Sequence, residues 1–134
     1  MRRETEHRLL QIAIAFGCLS PFYFGLRGIF EGPAMLAGIA PGQAPPDLLS
    51  HYRYLSGLFF GIGVVLLSCI PRIEVHTARF RWACGAIVAG GLARALGLAM
   101  GDSPSAAHHI ALIAELGLVP LLVLWQGRVA RYFR

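Results

Sequence analysis

Apolar residues in this chain come in blocks rather than in alternation with polar ones. Four stretches, Leu9–Phe30, Tyr54–Ile70, Trp82–Met100 and His109–Trp125, are nearly unbroken, and most charges collect between them. A soluble amphipathic helix carries a polar face, which these stretches lack. Each approaches the roughly 20 residues a helix needs to cross a bilayer, the second at the short end of the range. The pattern predicts an all-α chain, a single transmembrane domain over residues 1–134 built as an integral membrane four-helix bundle.

The first connection, about Glu31–Tyr52, is the only long one. Pro33, Pro41, Pro45, Pro46 and several glycines mark it as irregular. Its apolar piece Ala34–Ala40 is expected to lie in the interface as a short helix, and Asp47 to cap a turn entering the second span. Long loops in small domains often serve as lids or binding loops. The other two connections are short, so spans 2–3 and 3–4 are antiparallel hairpins. Gly57 with Gly61, and Gly97 with Gly101, are four apart, a spacing that lets helices approach closely in lipid. Packing within the bundle is the expected use, and a homodimer face the alternative. Pro21 and Pro120 free the carbonyls of Gly17 and Leu116.

Composition agrees with a membrane protein: 56% hydrophobic, 14% charged and mean hydropathy +0.60. The net charge of +5 invites a nucleic-acid reading. Placement argues against it, because the arginines flank apolar blocks instead of forming a patch with interleaved aromatics. Nine of the twelve basic residues fall on one side: Arg2, Arg3 and Arg8, then Arg72, Arg79 and Arg81, then Arg128, Arg131 and Arg134. The positive-inside rule makes that side cytoplasmic, with both termini inside and the long loop periplasmic. Removal of the first segment as a signal peptide is disfavoured, since no small-x-small site follows it closely and the run is long for an h-region.

Two charges lie inside apolar blocks at matching depth. Arg94 is seven residues before Gly101 and Glu115 seven after His108, the two edges of the turn Gly101–Ala107. At about 1.5 Å per residue both are roughly 10 Å below the membrane edge. A lone charge near a span centre costs about 2.5–3.5 kcal/mol, so these two are expected to form a buried ion pair with a function. Arg27, Arg53 and Arg94 all fall in the outer half. Ser20, Tyr23, Arg27 and Glu31 make a polar stripe on the first span, and His108 shares a face with Glu115. The expected ligand-binding set is His51, Arg27, Arg53, Tyr54, Arg94, His108 and Glu115, in a periplasmic-side pocket walled by Phe22, Tyr23, Tyr52 and Tyr54. The competing structural reading has Arg27 pairing locally with Glu31 and Arg53 snorkelling to the interface.

Other chemistry is thin. Cys18, Cys69 and Cys84 form no Cys-x-x-Cys and read as small buried hydrophobes. His108 and His109 point in different directions on a helix, so even with His51 nearby they make a poor metal site. No phosphate-binding glycine motif, zincin motif or nucleophile elbow is present, and no cofactor is implied.

The runs His51-Tyr52-Arg53-Tyr54-Leu55-Ser56-Gly57, Cys69-Ile70-Pro71-Arg72-Ile73-Glu74, Gly90-Gly91-Leu92-Ala93-Arg94 and Leu124-Trp125-Gln126 resemble a bacterial four-span membrane family, domain of unknown function 4345. The resemblance covers about Leu9 to Arg131. It implies a small protein of the bacterial inner membrane, with Arg53, Arg94 and Glu115 as recurrent polar positions and no established activity. In size and layout alone the chain is also similar to DoxX-type four-helix proteins, which would imply a redox-enzyme partner.

The residues favour non-enzymatic binding of a small anionic molecule or lipid headgroup. The first alternative is an accessory or scaffold subunit with a membrane-protein partner or as a homo-oligomer. A proton-coupled transporter subunit comes next, weakened because a carboxylate neutralised by an adjacent arginine is a poor proton carrier. An enzyme comes last, since no nucleophile stands beside His51, His108 or Glu115.

Overall fold

The computed structural model describes residues 2–133 and is all-helical, with no strand among them. Four helices are long and apolar enough to cross a membrane: α1 (Arg2–Glu31), α2 (Pro46–Cys69), α3 (Thr77–Ala99) and α4 (Ala106–Tyr132). Short 3-10 turns occupy Gly32–Met35 and Ile70–Arg72. Arg134, counted with the basic flanks above, lies outside the described residues.

Every helix is longer than the apolar block that predicts it, α2 and α3 through added residues at the N-terminal end alone. Arginine and glutamate propagate a helix nearly as well as leucine, so helices do not stop where hydrophobicity does. The largest correction is at α2, which begins at Pro46 instead of Tyr54. Proline suits a first helical position, where its missing N–H would have no partner anyway. Asp47 follows in the first turn, where its charge favours the helix dipole. His51, Tyr52 and Arg53 are therefore helical and the loop is shorter than expected. The helix expected at Ala34–Ala40 is absent. Only the turn Gly32–Met35 forms, and Gly38 and Gly42 then take φ values of 88° and 81°, which a helix does not tolerate.

The stop of α3 is written in the sequence around Gly101. Its φ is 104°, the left-handed conformation that closes a helix. Gly101 N–H bonds to Leu98 C=O at 3.1 Å and Asp102 N–H to Gly97 C=O at 3.0 Å. Those two bonds satisfy carbonyls the last turn would leave open. Gly101 thus ends a helix, and Gly97 faces Asp102 of the same turn. Neither is a helix-packing position, contrary to the spacing argument.

The described residues form two compact units, one of Ala13–Ser68 and one of those up to Ile12 together with those from Cys69 onward. In the first, a glycine face on α1 meets α2. A Cβ at Gly25 would stand 3.1 Å from the Phe60 Cα, and one at Gly28 would meet Ser56 and the Tyr52 ring. Gly63 of α2 likewise leaves room for the Pro21 ring. Phe22 packs edge-on against Phe60, with ring centres 5.2 Å apart. Gly57 and Gly61 have open space where a side chain would be. Their spacing is right but their helix face is not the one that meets α1.

The second unit packs the start of α1, α3 and α4 around Leu10, Ile73, Phe80 and Val129. Cys18, Cys69 and Cys84 are buried, as expected of small hydrophobes. Gln126 is fully buried at 0% exposure. Its Nε2 donates to Ile73 C=O at 2.9 Å and to Thr77 Oγ1 at 2.8 Å. It therefore ties α4 to the connection before α3. Gln126→Leu should destabilise the protein by about 1–3 kcal/mol by stranding the Ile73 carbonyl. Unfolding by SDS titration in mixed micelles measures it. No change would mean the carbonyl finds another donor.

His7 Nε2 lies 2.8 Å from Glu74 Oε2, and Gln11 Nε2 donates to Ile70 C=O at 2.7 Å. Burial pushes the Glu74 carboxyl up, but its own backbone N–H, the His7 ring and the Arg72 charge outweigh it and hold the group below the ordinary carboxylate range. A lowered folded-state pKa stabilises above the unfolded value, and the contribution disappears as pH falls through the folded one. Glu74→Gln should thus lower the melting temperature at pH 6, and the loss should shrink as the pH is brought to about 3, through and below the ordinary carboxylate range. An equal loss at both pH values would show that shape, not charge, matters here.

Candidate functional site

The sequence brings Arg94 and Glu115 together from opposite arms of the α3–α4 hairpin. Arg94 Nε donates to Glu115 Oε2 at 3.1 Å and Nη2 to Oε1 at 3.2 Å. The guanidinium fork fits both carboxylate oxygens, the geometry that makes arginine pairs specific. By chain count Arg94 is five residues before the end of α3 and Glu115 nine after the start of α4. That offset, about 6 Å of helical rise, is within reach of a long arginine side chain.

The pair is not buried as expected. The side chains are 31% and 17% exposed, and no charged side chain among the described residues is buried. Gly90 gives a physical reason. It stands one turn before Arg94 on the same face and has open space where a side chain would be, so nothing there shields the guanidinium. The expected buried charged pocket is replaced by a half-open ion pair within a span.

A second feature was invisible in the sequence. Ala114–Leu118, the turn that carries Glu115, is a π-helical turn inside α4. Val119 N–H reaches back five residues to Ala114 C=O. Pro120, one residue on, has no N–H to give either Leu116 in the α register or Glu115 in the π register. Such bulges are rare and concentrate at functional sites. The sequence cue is Pro120 five residues after a charged residue in an apolar run, though by itself it signals only a kink.

Gly91 brings α3 onto this turn. A Cβ there would stand 2.8 Å from Glu115 Cβ and 2.9 Å from Leu116 Cδ2. Only a residue without a side chain lets the two backbones approach this closely. Gly91 lies in the family-like run Gly90–Arg94, but the spacing alone did not show which of the two glycines faces α4.

The remaining candidates divide. Arg27 is satisfied within α1: Nε and Nη2 donate to Glu31 at 2.8 and 2.6 Å, and Nη1 to Tyr23 Oη at 3.3 Å. The local structural reading holds for it. Tyr54 is exposed. His51 and Arg53 are exposed too, and these three make no hydrogen bond to another described side chain. Arg53 lies near Gly32, whose φ of 61° ends α1. Phe22 and Tyr52, expected to wall a pocket, pack against Phe60 and Gly28 instead. His108 Nδ1 lies 3.1 Å from Ser105 Oγ, at the start of α4. No curated protein and no solved structure matches this chain. A family model, Domain of unknown function (DUF4345), matches residues 9–126. That match spans most of the chain and takes in Arg53, Arg94, Glu115 and Gln126, so the protein belongs to this family.

Proposed function

We propose that this protein binds, without catalysis, a small anionic molecule or lipid headgroup at the Arg94–Glu115 pair. The observation that carries this reading is a charge pair held within a membrane span and left partly open. A pair that only fixed helix register would be better enclosed, because exposing charge to hydrocarbon is costly. The open edge of Arg94 offers a cation, and Glu115 holds it in place. The π turn and Gly91 set the position of the carboxylate. We further infer the bacterial inner membrane as the location, with both termini cytoplasmic, from the arginine-rich flanks.

Native mass spectrometry of gently extracted protein tests the binding. A small molecule or lipid retained by the wild type and lost in Glu115→Gln supports it. A bare protein in both cases removes it. A second reading rests on the same opening: a polar group of a membrane-protein partner covers the pair, making the chain an accessory subunit. In that case a stoichiometric protein would co-purify and be lost in the same variant.

A further inference from the structure

At the far ends of the same two helices lies a different arrangement. Because α3 and α4 are antiparallel, the first turns of α3 stand beside the last turns of α4. A crevice of about 400 Å³ opens between them, lined by Thr77, Arg81, Leu124, Gly127 and Arg131 among others. A second hollow shares Thr77 and Arg81 with it and is lined also by Ala78, Trp82 and Gly85. Neither is lined by any acidic residue. A Cβ at Gly127 would stand 3.3 Å from Arg81 Nη2, so the guanidinium lies against α4 across the gap that glycine leaves. Neither Arg81 nor Arg131 has an ion-pair partner among the described residues. Two guanidinium groups beside one crevice with no acidic residue in its lining attract an anion, and arginine favours phosphate oxygens in particular.

The walls say what kind of anion. Thr77 Oγ1 accepts from Gln126, which leaves its own proton to donate. Immediately next to this polar rim, Trp82 is 83% exposed and Leu124 70% exposed. Exposed tryptophan at the end of a span is the usual membrane-interface anchor. The site is therefore charged at one edge and hydrocarbon-facing at the other, which suits a molecule with the same division. Basic pockets between helices at a membrane surface hold phospholipid headgroups in this way.

We propose that the crevice between the start of α3 and the end of α4 binds the phosphate of an anionic phospholipid through Arg81 and Arg131, with an acyl chain lying along Leu124 and Trp82. The site is separate from the Arg94–Glu115 pair and stands or falls without it.

The test uses the full chain in neutral detergent, with phosphatidylglycerol or phosphatidylcholine added and bound lipid counted by native mass spectrometry. Wild type should prefer phosphatidylglycerol by roughly tenfold, given two basic residues at a membrane surface. Arg81→Gln with Arg131→Gln should bring the two lipids close to parity, while Arg81→Lys with Arg131→Lys, which keeps both charges, should retain the preference. Arg2→Gln with Arg72→Gln removes the same net charge elsewhere and should change nothing. The proposal is overturned if wild type shows no preference, or if the Arg2 and Arg72 control loses it equally. Displacement of phosphatidylglycerol by inorganic phosphate at equal concentration would also overturn it, because the occupant would then be a soluble anion.

Discussion

Arg94→Leu should destabilise the protein by about 2–3 kcal/mol, and the double variant Arg94→Leu, Glu115→Leu should recover most of that loss. The magnitude follows from the cost of an unpaired charge within a span, taken toward its lower end because the site is near the interface and half open. Removing one partner leaves Glu115, only 17% exposed, with no cation to neutralise it. Removing both takes away the desolvation penalty along with the attraction, so apolar replacements of ion pairs are often close to neutral. SDS-unfolding midpoints of the four proteins form a double-mutant cycle that isolates the pair. If the double variant is as unstable as the single one, packing of the two side chains, not their charge, holds the hairpin.

Gly91→Ala should cost about 1–3 kcal/mol, the range for forcing an extra carbon into a filled space. The added methyl would stand 2.8 Å from Glu115 Cβ and 2.9 Å from Leu116 Cδ2. Leu116 can rotate away, but Glu115 Cβ is fixed to the π turn, so the helices must separate. Gly90→Ala is the internal control. It meets open space, and alanine is favoured over glycine in a helix interior by about 1 kcal/mol, so it should be neutral or stabilising. Opposite signs at adjacent glycines would locate the close contact. Equal effects would mean that helix propensity alone governs this stretch. Because Gly91 sets where Glu115 stands, Gly91→Ala should also weaken whatever the ion pair binds.

The spans and the ion pair were legible because they depend on local pattern. Unbroken apolar runs have few ways to fold in a membrane, and Arg94 and Glu115 lie on opposite sides of one short turn within reach of each other, though offset by four residues from its edges. What escaped depended on contacts distant in sequence. Gln126 reads as the polar edge of an apolar block, and only its bond to Ile73 C=O, 53 residues away, makes it a core residue. Gly57 and Gly61 have the spacing of a packing motif, yet the face meeting α1 is set by how Pro21 and Phe60 fit against Gly63 and Gly25. The π turn needs both Pro120 and the pressure of α3 at Gly91. The openness of the ion pair has no signature in the local pattern, because it depends on what stands over the guanidinium, and at Gly90 nothing does.

The measurement that bears most directly on the account is native mass spectrometry of the doubly apolar variant, Arg94→Leu with Glu115→Leu, beside wild type. The account predicts a folded double variant of near-normal stability that lacks one bound molecule retained by the wild type, any phospholipid held at Arg81 and Arg131 being kept. A double variant that keeps the same bound mass would contradict it and reduce the Arg94–Glu115 pair to a structural clasp between α3 and α4.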